Sequence, residues 1–491
     1  MSLTSFSFLI TLLAAVLLYY LLPVKVRFIA PLFANAYFLY RCDSPLKLCV
    51  WFFTALLTYG AAIFIHNAKS EGSKRGAAYV SVAFVAALMI LLRNGGLLQN
   101  LNAAPTGISY YSLFYISYIL ECYYGTHEPE KNPFKFFTFA GCFLMLTSGP
   151  VLKASDSDGI TSPHKFEFRN IIFGLERILW GFMKKLIIAD RISVLVDTVY
   201  NVPYAHNGLY IWIATAAFAI QLYTDFSGCI DIVLGGARLF GITLPENFNY
   251  PFISETLSEF WRRWHITLGG FLRDYILYPI LKSKPFQALG KFSKKHFGKK
   301  IGKKIPVWIG LMISWTLVGY WHGGYFNYTF GVGIWFGFII VMGEILEPFF
   351  KKLTALLRIN TEAFSWKLFR IVRTWFFFGT GMLFFRAHGF RNALLMLKLS
   401  VASFNPWIFF DGSMYELGLD VTDWHILAVF LGIVAITGLI SFYKKQTISE
   451  LLSHQNLLFQ WALIILLIYS IVIYGCYGVG FNSQSFIYQG F

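Results

Sequence analysis

Long uninterrupted runs of apolar residues are the feature that most limits how this 491-residue chain can fold. Lipid offers the backbone no hydrogen-bond partners, so a crossing segment must satisfy its own N–H and C=O groups as a helix or in a closed barrel. The runs are blocks rather than alternating strands of about ten residues, which excludes a barrel. Candidate spans cover residues 6–22, 28–40, 46–66, 77–92, 108–124, 134–152 and 171–189. They continue at 209–240, 305–320, 328–346, 368–385, 424–442 and 457–477. Segment 28–40 is short for about 30 Å of hydrocarbon, so it tilts, pairs or is re-entrant. The predicted fold is all-α: a polytopic integral membrane protein of about 11 to 13 transmembrane helices, with re-entrant or interfacial helices beside them. One membrane-embedded domain is expected over 1–491, with its motifs concentrated in 209–347.

Composition agrees. The chain is 57% hydrophobic, 19% aromatic and only 13% charged, against about 25% charged in soluble domains. A globule so poor in charge lacks the polar groups to cover its own surface. A soluble enzyme, a disordered chain and a disulfide-stapled secreted domain are excluded. No positive stretch precedes the first span; Lys25 and Arg27 follow it, so it reads as a retained span rather than a cleaved signal. The positive-inside rule then places the N-terminus outside, and Lys69, Lys74 and Arg75 fit the same alternation. The expected location is the plasma (inner) membrane, crossed many times. The six cysteines form no CxxC pair and read as helix-packing residues, with no metal site.

Net charge is +16, and residues 282–304 carry nine lysines and no acid. This segment is expected to be a cytoplasmic loop touching anionic membrane lipids. It is also suited to receive an acidic carrier protein or an anionic coenzyme. No aromatic stacking pattern interleaves the lysines, so nucleic acid is not an expected partner.

Ionisable groups at membrane depth are costly, and each is a functional candidate. His322 lies in an apolar stretch beside Gly319, Gly323 and Gly324. A hydrogen-bonded structural histidine is one reading; the small neighbours favour another, a cavity entered by a ligand. His265 closes the segment Pro245-Glu-Asn-Phe248 to Glu259-Phe-Trp-Arg-Arg-Trp-His265. Thr256 with Glu259 forms a capping box, so a helix is predicted to start near Leu257 and to stop at Pro279. Phe260, Trp264, Thr267 and Phe271 share one side of it, while Arg262, His265 and Gly269 run down a neighbouring face. Glu259 is placed to pair with Arg262 or Arg263. Such an amphipathic helix lies at the interface, as an anchor or as an active-site wall. Asp225 and Asp231 fall within one apolar span and must be protonated, paired or solvated, with Arg238 two turns from Asp231 as a candidate partner. Structural and catalytic roles are both compatible with this pair.

Together these segments resemble the membrane-bound O-acyltransferase (MBOAT) superfamily, in its bacterial alginate O-acetylation-like branch. The resemblance rests on Asp225-Phe-Ser-Gly228, Pro245-Glu-Asn-Phe248, Glu259-Phe-Trp-Arg-Arg-Trp-His-Ile266, Leu272-Arg-Asp-Tyr275 and Trp321-His-Gly323. Gly149-Pro150 and the aromatic ending Phe486-Ile-Tyr-Gln-Gly-Phe491 fit the same branch. The resemblance implies an MBOAT-type helical bundle in which His322 is the general base on an acceptor hydroxyl and His265 orients the acyl carbonyl or the acceptor. It implies substrate binding by Asp225, Glu259, Arg262, Arg263, Trp264, Arg273, Asp274, Tyr275 and Trp321. The implied donor is acetyl-coenzyme A or an acyl carrier, with no bound cofactor. The implied acceptor is an extracytoplasmic polysaccharide, reached with an extracytoplasmic SGNH/esterase-fold acetyltransferase as partner. Acyl transfer needs a base, a carbonyl-polarising donor and a dry passage; two histidines supply the first two. The alternatives are a D-alanyl transfer protein for teichoic acids and, from another class, a transporter or channel using Asp225, Asp231, His265 and His322. The latter lacks inverted repeats or paired broken helices.

Overall fold

The apolar blocks fold as helices in the computed structural model, which describes residues 1–93, 96–478 and 486–487. Among the described residues, the isolated antiparallel bridge Phe248–Trp264 is the one β-type pairing. Among the described residues, seven helices are long and apolar enough to cross a membrane: Pro45–Asn67, Glu71–Leu92, Leu209–Leu239, Phe326–Leu356, Phe364–Arg386, Val421–Lys444 and Leu457–Tyr474. An eighth arises if Lys284–Gly302 and Ile305–Trp321, bent by 90°, count as one span. Fewer full-length spans form than the apolar blocks suggest, because several blocks are short or broken. Block 28–40 is the 14-residue helix Ile29–Cys42, and block 134–152 is helical only over Pro133–Ala140 before an irregular stretch. Block 171–189 changes from the α-helix Phe168–Phe182 to the π-helix Met183–Ala189. All six cysteines are free thiols.

The backbone divides into two compact units. The first comprises Met1–Arg191, Leu222–Glu246 and Val429–Phe491. Its centre is a close contact between the helix Phe168–Phe182 and residues 222–239. Gly174 and Gly181, two turns apart, face Gly228 and Gly235, also two turns apart. A Cβ on Gly181 would lie 2.5 Å from the Gly228 carbonyl oxygen, and one on Gly235 2.6 Å from that of Gly174. Glycine is therefore required for the backbones to touch, the usual device where lipid supplies no hydrophobic drive between helices. Nearby, the buried Asn35 amide donates to the Thr138 carbonyl and accepts from the Phe143 N–H, tying Ile29–Cys42 to the end of Pro133–Ala140.

The second unit comprises Ile192–Gln221 and Asn247–Ala428. The helices Ile305–Trp321 and Phe364–Arg386 pack on the π-helix Thr329–Ile334, which leads into Trp335–Leu356. Here the structure revises the expected role of small residues. A Cβ on Gly319 would lie 2.7 Å from the Thr329 carbonyl oxygen, and one on Gly323 2.2 Å from the Tyr328 ring. These glycines admit a neighbouring backbone and a ring rather than opening a cavity.

The lysine-rich segment is not a loop. It forms the helix Lys284–Gly302, interrupted at Gly298, whose φ of +74° turns the last residues back onto Ser293 and Lys294. Serine, proline and the lysine stems favour helix here, while the exposed heads of all nine lysines stay in solvent. It lies at a right angle to Ile305–Trp321.

Candidate active site

His265 sits at a helix break, not on a helix face. Thr256 caps as expected, its hydroxyl accepting from the Glu259 N–H at 3.1 Å. Glu259 reaches back to the Glu255 N–H at 3.1 Å, one residue before the partner a capping box requires. The helix Leu257–Arg263 then ends, and a second, Ile266–Leu272, begins. Between them Trp264 is extended and His265 adopts a left-handed conformation, φ 48° and ψ 51°. Asn247–Asn249 imposes the break. The Asn249 N–H donates to the Arg263 carbonyl (2.9 Å) and the Ile266 N–H to the Asn247 carbonyl (3.1 Å). The Asn247 side-chain oxygen accepts from the Thr267 N–H (3.1 Å) and hydroxyl (2.6 Å), capping the second helix. Asn247 is fully buried. The continuous amphipathic helix expected from the capping box is thus replaced by two short helices around a buried Trp264–His265 corner.

Pro279 does not end this region either. Residues Arg273–Leu277 form a π-helix that continues into Tyr278–Lys282. A wider π turn before Pro279 relieves the clash a proline ring makes with the carbonyl four residues earlier in an α-helix. Arg273 pairs with its neighbour Asp274 at 3.0 Å, and the Tyr275 ring lies 4.9 Å from that of Phe271.

An aromatic wall fixes the corner. Trp264 stacks on Phe260 (ring centres 5.6 Å, 19°) and meets Phe378 at 5.5 Å; Trp261 packs on Trp315 and Phe336 at 5.0 and 4.9 Å. His322 lies at the end of Ile305–Trp321, where Gly324, at φ +76°, turns the chain away. Its imidazole contacts the Trp321 ring at 4.9 Å and the Phe385 ring at 5.8 Å. His265 also contacts this group, its ring 6.3 Å from that of Trp321. Both histidines are 3% exposed. Asn327 locks the turn after His322 by donating to the Phe384 and Ala387 carbonyls at 3.4 and 3.1 Å. Burial pushes the His265 imidazole down from 6.5 to about 3, so it is neutral at any physiological pH.

The structure therefore brings His265, Trp264, Trp321 and His322 together within the second unit. Glu259 pairs with Arg263 (2.9 Å), the i+4 partner, while Arg262 is exposed and donates to the Ser258 hydroxyl. Asn247 carried no expected role, although it lies in a quoted motif; only its long-range pairing reveals that it shapes the corner.

Asp225 belongs to the first unit, in a buried charge cluster. Lys185 bonds Asp225 at 2.7 Å and Asp190 at 2.8 Å. Lys184 pairs with Asp231 and donates to the Ser227 hydroxyl at 2.9 Å. Arg177 bonds Asp231 at 3.0 Å and holds Glu246 bidentately at 2.5 and 2.6 Å. The partner expected for Asp231, Arg238, instead donates to the Thr243 hydroxyl at 2.6 Å. The Ile487 N–H donates to Asp225 at 2.8 Å, and the Phe486 ring lies 4.6 Å from the Lys185 ammonium. Of the aromatic ending noted in the sequence, residues 488–491 lie outside the described residues.

Residues 33–386 match the MBOAT, membrane-bound O-acyltransferase family. The chain is 29% identical over 343 residues to the "Probable alginate O-acetylase AlgI" of Pseudomonas syringae pv. tomato, covering 70% of this chain and 60% of that protein. It is 26% identical to the peptidoglycan O-acetyltransferase of Helicobacter pylori over 60% of this chain and 56% of that protein. Identity to the teichoic acid D-alanyltransferase of Bacillus subtilis is 29%, over 44% of this chain and 53% of that protein. The chain thus spans about 60% of the length of the alginate-type relatives it matches. With the family match covering both histidines and most of the long helices, this chain is a multi-pass membrane protein belonging to the membrane-bound O-acyltransferase family.

Proposed function

We propose that the protein transfers an acetyl group from a cytoplasmic donor, acetyl-coenzyme A, towards hydroxyls of an extracytoplasmic polysaccharide. A separate extracytoplasmic esterase-fold transferase completes delivery. The observation that carries this reading is that two buried histidines, His265 and His322, both make ring contacts with one indole, Trp321.

In this reading His322 takes the proton of the acceptor hydroxyl as its oxygen attacks the thioester carbonyl. Neutral His265 donates an N–H to the carbonyl oxygen as it gains charge. The C–S bond then breaks, and the departing sulfur receives the proton held by His322. The walls of Trp264, Trp321 and Phe385 exclude water, which would otherwise compete as acceptor. Asp225, lying in the buried cluster of the first unit, supports that unit's helix packing in this scheme.

The names of the relatives supply two acyl groups, acetyl and D-alanyl. None of those named is a transporter or channel. The acetyl reading is favoured by identity: 29% over 70% of the chain to an alginate O-acetylase, against 25% over 66% to the teichoic acid D-alanyltransferase of Streptococcus thermophilus. Inside-out vesicles given radiolabelled acetyl-coenzyme A, without any carrier protein, test it. Label should pass to acceptor or partner. Transfer only from a D-alanyl carrier would replace the acetyl reading, and ion flux without any acyl transfer would overturn both.

A further inference from the structure

Four arginines of the second unit gather where the helix Leu257–Arg263 meets the first half of Phe364–Arg386. Two of them, Arg370 and Arg373, belong to no motif recognised in the sequence. Arg370 bonds the Glu255 carboxylate at 2.6 Å through one nitrogen. Arg373 donates to the Glu255 backbone carbonyl at 3.0 Å, its one hydrogen bond among the described residues. A guanidinium has five N–H donors, so most of the fork of Arg373 is uncommitted although the side chain is half-buried. The neighbouring Arg263 is already taken by Glu259 and by the Asn249 carbonyl. Exposed Arg262 flanks it on the same short helix. The Glu255 and Glu259 carboxylates pair with Arg370 and Arg263, whereas Arg262 and Arg373 bond neither, so positive charge is in surplus at Arg373, which neighbours Arg370 on its helix.

Those two residues lie one turn apart on one helix face, the spacing at which two forks grip one tetrahedral anion. The same helix continues to Phe385, whose ring touches that of His322. At about 1.5 Å per residue it rises roughly 18 Å from Arg373 to Phe385. About thirteen covalent bonds separate phosphorus from sulfur in a phosphopantetheine arm, an extended length of roughly 15 Å. The two lengths agree to within a side chain.

Building on the acyl-transfer reading above, we propose that Arg370 and Arg373, flanked by Arg262 and Arg263, bind a phosphate of the acyl donor, so that its thioester reaches His322. Arg370 and Arg373 are binding and positioning residues: they fix the far end of the donor and take no part in bond making.

The test uses the full-length protein in nanodiscs of neutral lipid, with coenzyme A and pantetheine as probes. Arg373→Gln and Arg370→Gln should each weaken coenzyme A binding about tenfold or more, as expected for loss of a charge-assisted phosphate contact. Pantetheine, which has no phosphate, should bind both variants as it binds the wild type. Arg373→Lys should restore part of the coenzyme A affinity. Repeating the titration with anionic phosphatidylglycerol in the disc separates the two sources of phosphate. If the variants lose retained phosphatidylglycerol but keep coenzyme A affinity, the site holds a lipid headgroup and the proposal falls. Equal coenzyme A affinity in all proteins, or none in the wild type, also overturns it. His322-dependent acyl transfer persisting in that last case would leave the acyl-transfer reading standing.

Discussion

The His265 and Trp321 rings lie 6.3 Å apart at 60°, and the His322 ring lies 4.9 Å from the same indole. Trp321 thus contacts two imidazoles that come from a helix break and a helix end. Replacing Trp321 by Ala should leave both histidines present but without their shared ring contact. Acyl transfer should fall by more than tenfold while Trp321→Phe retains most of it, checked by initial rates at saturating donor.

Left-handed backbone at His265 costs an ordinary L-residue roughly 1–2 kcal/mol, and asparagine is among the side chains that tolerate it best. His265→Asn should therefore be more thermally stable in detergent than His265→Ala, although both lose activity. Equal melting temperatures would show that the conformation carries no strain.

Because burial holds the folded His265 near 3 while the unfolded side chain titrates near 6.5, the unfolded chain binds more protons between those values. The stability contributed by this site is therefore complete above about pH 6.5 and declines as pH falls towards 3. Wild-type melting temperature should drop between pH 7 and 5, and His265→Asn should drop less. The acidic limb of the pH–rate profile should belong to another group and stay in place when donor and acceptor are unchanged.

Asn247 is a positioning residue. Losing its cap on Thr267 should cost about 1–3 kcal/mol, the penalty for breaking buried hydrogen bonds. Asn247→Ala should lower kcat more than it raises KM. Asn247→Asp, which keeps the accepting oxygen, should recover part of the rate.

In the first unit, Lys185→Met would leave Asp190 and Asp225 buried without their shared cation. Removing one member of a buried pair costs about 3–5 kcal/mol. Lower yield and a lower melting temperature are expected, with Lys185→Met/Asp225→Leu partly rescuing both.

Much of this arrangement was legible in the sequence. Apolar runs announced the membrane helices, and Thr256 and the Glu259–Arg263 pair lie as their spacing required. What escaped depends on contacts between distant segments. The break at His265 is set by pairing with Asn247–Asn249, which no helical periodicity encodes. Asp231 takes partners from a neighbouring helix, so Arg238 on its own helix was the wrong place to look. Glycines beside His322 looked like open space because composition does not say whether a ligand or another backbone fills it.

The most direct test of the central claim is acetyl transfer by His322→Ala in membranes where it inserts at wild-type level. Loss of transfer by several orders of magnitude, with donor binding unchanged, is the predicted result. Transfer at a near-wild-type rate would contradict the assignment of His322 as the base.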